Sequence, residues 1–266
     1  MKEYVCIIGL DEPESDAIRA RLDVPVLARV TLPGIVVQDG QLWVETDSRP
    51  RFVPAAKLVY HAIYDNDFDF ITGLAFWKGA CLPNARAMLD CRLKLPCLVR
   101  ALQHTRFGFP RGYATPHMRV DSDSEKVAKW GNWHCGENKQ RFTGSWQGED
   151  AAVIEPFISG QAVRVVMIGE QYWQIKLEGD DWLKSIHHAQ ADFMEIDVEL
   201  LADTRHLKAA FGLDVIANDY MVAADGSRYL LEVNHIPNVT RFPAIWEAYL
   251  EYVVAWVERD STGVGA

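Results

Sequence analysis

The segment VIANDYMVAADGSRYLLEVNHIPN, residues 215–238, limits what this chain can become more than any other stretch. Two runs rich in β-branched, aromatic and aliphatic residues flank Asp225-Gly226, a dipeptide that favours a two-residue hairpin turn. Counting back from such a turn, Ala224 faces Ser227 and Asp219 faces Glu232, with Cβ atoms roughly 5 Å apart. Glu232 and Asn234 lie two residues apart and share a face, while Leu231 and Val233 take the other face and point at a core. Facing carboxylates repel unless something compensates them. A divalent cation does so, and Mg2+ usually takes one or two carboxylates together with phosphate oxygens and water. The competing reading is a solvated acidic patch, and a bulge in either strand would shift the register on which the pairing rests.

The remainder reads as an α+β chain with a small α/β lobe at its start. Residues 4–10 form a buried strand, and a helix begins near Pro13. Residues 35–46 make a hairpin around Asp39-Gly40, and residues 58–63 another strand. Residues 84–103 are helical, with Pro96 marking a kink or break. Residues 110–116 are a connector or short strand. A short strand over 125–129 leads into a polar loop over 131–139. Strands follow over 152–158, 163–168 and 171–177, the last two joined at Gly169-Glu170. A helix over 198–211 ends at Gly212, and a closing helix spans 242–259. The expected divisions are 1–88, 89–158 and 159–260, with 261–266 a frayed polar tail. Clefts for small ligands tend to form between such lobes.

Composition narrows the function classes. The net charge of the 266 residues is −10, which argues against non-specific nucleic-acid binding, since that relies on Lys and Arg neutralising phosphates. No apolar run reaches the roughly 20 residues that span a bilayer. The start, MKEYVCIIGLDEPESD, meets acidic residues too soon for a signal peptide. The five cysteines, Cys6, Cys81, Cys91, Cys97 and Cys135, show no CxxC spacing, so neither a disulfide framework nor a structural zinc site is expected. A cytoplasmic protein with reduced thiols, binding neither nucleic acid nor membrane, fits these features.

The LEVN run with a proline shortly after it resembles the metal-binding signature of the ATP-grasp superfamily, and within it the ribosomal-protein glutamate ligases and bacterial glutathione synthetases. The resemblance implies an ATP-grasp fold that binds nucleotide between two α+β lobes, and it covers roughly residues 84–257. Asp219, Glu232 and Asn234 fall on the family's magnesium ligands, and Pro237 on its proline; Asn238 stands where glycine is usual. VAKWGNWHCGENK resembles the strand-borne lysine and glycine-rich loop, which makes Lys129 a phosphate ligand and Gly131 and Gly136 the loop's glycines. CRLKLPCLVRALQ resembles the family's R-D-K stretch and places Lys94 as a second phosphate lysine, with Leu93 in place of the acid. VIEPFISGQAVRVVMIG resembles the adenine-binding hinge, mapped to Glu155, Phe157 and Ile158, with Ala162 where a ribose-binding acid is usual. Pro156 lacks an N–H, so an amide donor to adenine must be a neighbour. Arg164 matches the arginine of the family's D-I-R stretch. An arginine in an apolar strand needs an anionic partner, either a phosphate or an internal carboxylate. LEGDDWLKSIHH lies where related ligases carry a basic loop, with Lys184 the foremost candidate and Lys176, His187 and His188 behind it.

That resemblance implies an enzyme using ATP and Mg2+ to join a carboxylate to an amine through an acyl phosphate, releasing ADP and phosphate. Small-molecule or peptide carboxylates and amines are the substrates it allows, and a homodimer is compatible with it. Two alternatives stand beside it: an ATP-grasp kinase acting on a hydroxyl, and a nucleotide-binding module without catalysis. Cys135 next to His134 is a local pair, and neighbours on one loop rarely form a working dyad.

Overall fold

The computed structural model describes residues 2–47, 51–132 and 138–259. The chain begins β1 (Tyr4–Ile8), α1 (Glu12–Arg19), β2 (Val26–Arg29), β3 (Ile35–Gln38), β4 (Gln41–Glu45), β5 (Phe52–Tyr60), α2 (Phe68–Trp77) and β6 (Ala80–Leu82). Next come α3 (Ala85–Cys91), α4 (Lys94–Leu102), β7 (Gly112–Ala114), β8 (Arg119–Trp130), β9 (Lys139–Gln147) and β10 (Ala152–Pro156). It ends β11 (Gly160–Ile168), β12 (Gln171–Lys176), β13 (Asp192–Met194), α5 (Val198–Phe211), β14 (Val215–Ala223), β15 (Arg228–Asn234) and α6 (Pro243–Glu258).

Among the described residues the strands form three sheets: β2-β1-β5-β4-β3 with β6 beside β5, then β7-β10-β8-β9, then β13-β12-β11-β14-β15. The first is the α/β lobe, in which β1 runs parallel to both β2 and β5. The other two are antiparallel throughout. Alternation along β11 explains how the third sheet is buried on both faces. Val163, Val165 and Met167 pack with α5 and with Ala87, Cys91, Cys97 and Ala101 of α3 and α4. Ala162, Val166 and Ile168 pack with α6 and, through it, with Val5, Ile7 and Val59 of the first sheet. Lys57 of β5 ties that junction by donating to the carbonyls of Trp256 (3.3 Å) and Val257 (2.7 Å) at the end of α6. The helix dipole favours a cation there. No helix among the described residues is long and apolar enough to cross a membrane.

Local signals place most elements. Pro13 sits in the first turn of α1. Asp39 and Gly40 take positive φ in the β3–β4 turn, as a two-residue hairpin of that type demands. Gly212 ends α5 in the left-handed conformation, and Asp197 caps its start through the N–H groups of Glu199 and Leu200.

Three expectations need correction. The helix expected over 84–103 is two, broken at Leu93, which is extended. The break falls three residues ahead of Pro96 because a proline is tolerated in a helix's first turn but cannot bond back to an earlier one. The strand expected over 125–129 is twelve residues long, and β9, absent from the sequence reading, pairs with it. Its outer half, RVDSDSEK, is too polar to look like a strand; it is an exposed hairpin arm. The first lobe also holds β2, α2 and β6, which periodicity alone did not single out.

The third correction concerns the acidic hairpin. Its turn is a three-residue loop, with Ala223 N–H donating to the Ser227 carbonyl and Gly226 at φ +83°. That loop shifts the register by one, so Tyr220 faces Leu230. A bulge at Leu231 on β15, opposite Asp219 and Tyr220, then shifts it back, and Asp219 faces Glu232 as the count from a two-residue turn has it. Two deviations cancel. The bulge also turns Leu231 out of the core: Leu230 and Val233 are buried, while Leu231 lines the cleft beside Glu232. The tail at 261–266 lies outside the described residues, as do Gly136, His134 and Cys135.

Candidate nucleotide and metal site

The cleft lies between the second and third sheets, and alternation on five strands, interrupted by the bulge at Leu231, decides what faces it. Lys129 is the last inward residue of β8 before the loop. Glu155 arrives on β10, Arg164 on β11, Asp219 on β14, and Leu231 with Glu232 on β15. Two cavities meet there. One is lined by Val127, Lys129, Glu155, Phe157, Ile158, Trp182, Met221 and Leu231, and is largely apolar beyond its charged rim. The other is polar, lined by Arg164, Ser185, His187, Asn234, Pro237 and Asn238. Lys139, Lys184, Asp219, Glu232, Leu177 and Leu183 line both. A smaller pocket behind them is shared by Lys94, Lys129 and Glu232.

Charge in the cleft is balanced by specific pairs. Glu155, 2% exposed, receives Lys129 Nζ on one oxygen at 2.5 Å and Arg111 Nε on the other at 2.6 Å. Burial alone would raise its pKa, but Lys129 and Arg111 together outweigh that and hold it below the usual carboxylate range. Arg111 also donates to the Leu230 carbonyl and lies over the Phe109 ring at 3.6 Å, so it links β10 to the hairpin. Arg164 meets Asp219 in a bidentate pair, Nε to Oδ1 at 2.6 Å and Nη2 to Oδ2 at 2.8 Å. Of the two partners that the sequence left open for Arg164, the internal carboxylate is the one seen. Burial disfavours its charge, yet Asp219 and then Glu232 raise its pKa above the ordinary value. Lys94 Nζ stands 3.6 Å from Glu232.

Could the acidic group hold a magnesium ion? Among the described residues no three His, Cys, Asp or Glu side chains gather as a ready cage. Asp219, Glu232 and Asn234 instead offer a partial oxygen set on one face, the kind that Mg2+ completes with phosphate oxygens and water. Asn234 supports the fit: its Nδ2 is buried without a hydrogen-bond partner, and a half-turn of the amide would put the oxygen there.

The remaining predicted residues divide. Gly131 takes φ +72°, a conformation that favours glycine, and its N–H donates to the Ala151 carbonyl. Beside it, Asn132 reaches across to the start of α4, its side chain accepting from Leu95 N–H. The loop's base is thereby anchored next to Lys94. At the hinge, Phe157 N–H is committed to the Glu125 carbonyl and Pro156 has none. Ile158, which lines the apolar cavity, carries the next amide along the chain. Lys184 Nζ donates to the Gly179 carbonyl within its own loop. Lys176 pairs with Glu178 and His188 with Asp180, on the outer side of that loop. His187 and Asn238 line the polar cavity, and Ala162 lies against the apolar one.

Sequence reasoning missed Arg111 and Lys139. Nothing in FPRGYA marks Arg111. Lys139 could have been found by reading KQRFTGSWQ as an alternating strand, which would have put it opposite Lys129. Burial lowers the pKa of Lys139; Glu232 and Asp219 oppose this, while Lys129 and Lys94 add to it. Taken together, Lys94, Lys129, Lys139, Arg164 and Lys184 outnumber Glu155, Asp219 and Glu232, so a chain of net charge −10 carries a cationic cleft.

His61, just after β5, packs its ring 4.9 Å from that of Tyr249. Burial pushes the His61 pKa down from 6.5 to about 4, against a smaller opposite effect of the Pro237 backbone. The folded state thus resists a proton that the unfolded chain takes up near pH 6.5. Stability from this group is whole above that pH and drains as pH falls toward 4, by about 3 kcal/mol in all. Urea denaturation of the wild type and His61→Gln at pH 7.5, 5.5 and 4.5 should show the wild type losing stability faster; parallel losses would refute the assignment.

No protein-family model and no curated protein matches the chain by sequence. Solved structures do match. The ATP-grasp ligase PsnB, complexed with a minimal precursor, has a TM-score of 0.66 at 13% identity, over 97% of this chain and 100% of that one. D-alanyl-alanine synthetase A from Vibrio cholerae has a TM-score of 0.68 at 11% identity, over 96% of this chain and 97% of that one. The macrocyclase MdnC from Microcystis aeruginosa, bound with precursor peptide MdnA, has a TM-score of 0.63 at 15% identity, over 94% and 99% respectively. Likeness along the whole length, with two antiparallel sheets closing on a cationic cleft, means that this chain has the ATP-grasp fold.

Proposed function

We propose that the protein is an ATP- and magnesium-dependent carboxylate–amine ligase. The observation that carries this is the meeting of an apolar and a polar cavity at Asp219, Glu232, Lys139 and Lys184. A nucleoside fits the first, an acyl substrate the second, and the charged junction lies where a γ-phosphate would pass between them. In this reading the Ile158 amide and the Phe157 ring receive adenine beside Glu155. Lys94 and Lys129 hold phosphates, and Gly131, at positive φ just past β8, opens the loop beside them; Gly136 lies outside the described residues. Asp219, Glu232 and Asn234 hold Mg2+, which when bound neutralises phosphate charge. The three lobes then divide as 1–88, 89–158 and 159–260, the last two closing on the nucleotide.

The chemistry has two steps. A substrate carboxylate oxygen bonds to the γ-phosphorus, the bond to the β–γ bridging oxygen breaks, and ADP leaves with that electron pair. An amine nitrogen, as the free base, then bonds to the acyl carbon; the C–O bond breaks, phosphate leaves with the pair, and the nitrogen loses a proton. The protein's part is positioning and charge neutralisation. Arg164 is presented by Asp219 toward the polar cavity, and with Lys184 it offsets charge on the group transferred. A peptide carboxylate is the substrate favoured, because PsnB and MdnC, which share this fold, are complexed with precursor peptides.

The test is ADP release over a panel of carboxylates and amines, with the product identified by mass spectrometry. Release should need both partners and yield an amide. A phosphate ester formed without an amine would make the protein a kinase instead.

A further inference from the structure

Lys129 and Lys94 are already engaged by carboxylates, Lys129 at 2.5 Å from Glu155 and Lys94 at 3.6 Å from Glu232. Lys139 is placed differently. It opens β9 and faces Lys129 directly across the β8–β9 pair, so the two ammonium groups are carried on neighbouring strands into one cleft. Lys129 lines the apolar cavity and the small pocket behind it, whereas Lys139 lines the apolar cavity and the polar one. Asp219 and Glu232 line the same two cavities as Lys139. A cation so placed lies past the inner phosphates and ahead of the acyl substrate. A strand rather than a loop carries it.

We propose that Lys139 is a contact of the terminal phosphoryl group, holding it at the junction of the two cavities as it passes from nucleotide to carboxylate and gripping the resulting acyl phosphate. This rests on the ATP reading above and adds to it a division of labour. Lys94 and Lys129 serve the phosphates that stay with the nucleotide, and Lys139 serves the one that leaves. Because Lys139 lies at the junction and away from the inner pocket of Lys94 and Lys129, it contributes to affinity only for a ligand that reaches the junction.

The experiment compares binding of Mg·ADP and of Mg with a non-hydrolysable ATP analogue, by calorimetric titration, in the wild type, Lys139→Met, Lys139→Arg and Lys129→Met. Lys139→Met should weaken the ATP analogue about tenfold or more, in line with loss of one charge-assisted contact, and change ADP by less than about threefold. Lys139→Arg should keep most of the preference for the analogue, and Lys129→Met should weaken both ligands. The melting temperature of Lys139→Met without nucleotide should equal or exceed that of the wild type, which separates lost contact from lost fold. Equal weakening of both ligands in Lys139→Met, or no weakening of either, overturns the proposal. A wild type that binds neither nucleotide overturns the ATP reading itself.

Discussion

Glu232→Gln is expected to abolish magnesium-dependent turnover while leaving the fold intact. The carboxylates of Asp219 and Glu232 face each other on paired strands, each side chain 14% exposed. Gln keeps the shape and removes one of the two charges offered to the ion. Metal coordination supplies several kcal/mol of charge stabilisation in phosphoryl transfer, so the rate should fall by about three orders of magnitude. Stability should change little, because the loss of the Lys94 contact is offset by relief of repulsion from Asp219. ADP release measured over a magnesium series reads this out. An unchanged magnesium dependence with an unchanged rate would remove Glu232 from the metal site.

Glu155→Ala should be the most damaging single change to stability in the cleft. It would leave Lys129 and Arg111, with side chains 11% and 5% exposed, without their shared counter-charge. Breaking a buried pair by removing one partner costs about 3–5 kcal/mol. For a chain of this size that is a fall of roughly 10 °C in melting temperature. Nucleotide then supplies the missing negative charge, so Mg·ADP should restore more stability to the variant than it adds to the wild type. Differential scanning calorimetry with and without Mg·ADP measures both effects. A melting temperature within a degree or two of the wild type, or an equal gain from nucleotide, would mean that Lys129 does not exchange Glu155 for phosphate.

Much of the candidate site could be read from the chain because its parts are carried by short-range patterns. Asp219, Glu232 and Asn234 lie on a hairpin whose two strands and turn are adjacent in sequence, and the residues' order and parity are enough to bring them together. Lys129 stands two residues before Gly131, a glycine at positive φ, which sequence chemistry announces. Even so, the pairing was reached through two cancelling deviations, a longer turn and a bulge, and Leu231 was assigned to the wrong face for that reason.

What the sequence determined alone is the periodicity of each element, the glycines and prolines that end them, and the side chains that a single hairpin or strand presents together. The tertiary structure decided which distant side chains share a charge. Arg111 and Lys129 meet on Glu155 because β10 lies against β8 while Arg111 bridges to the carbonyl of Leu230, more than a hundred residues away. Lys139 faces Lys129 only because β8 and β9 pair across a polar loop. Arg164 binds Asp219 because β11 and β14, fifty-five residues apart at that point, are neighbours in one sheet. The physical reason is that backbone propensity and side-chain alternation act over a few residues, whereas strand order and register between distant segments follow from burying several apolar faces at once.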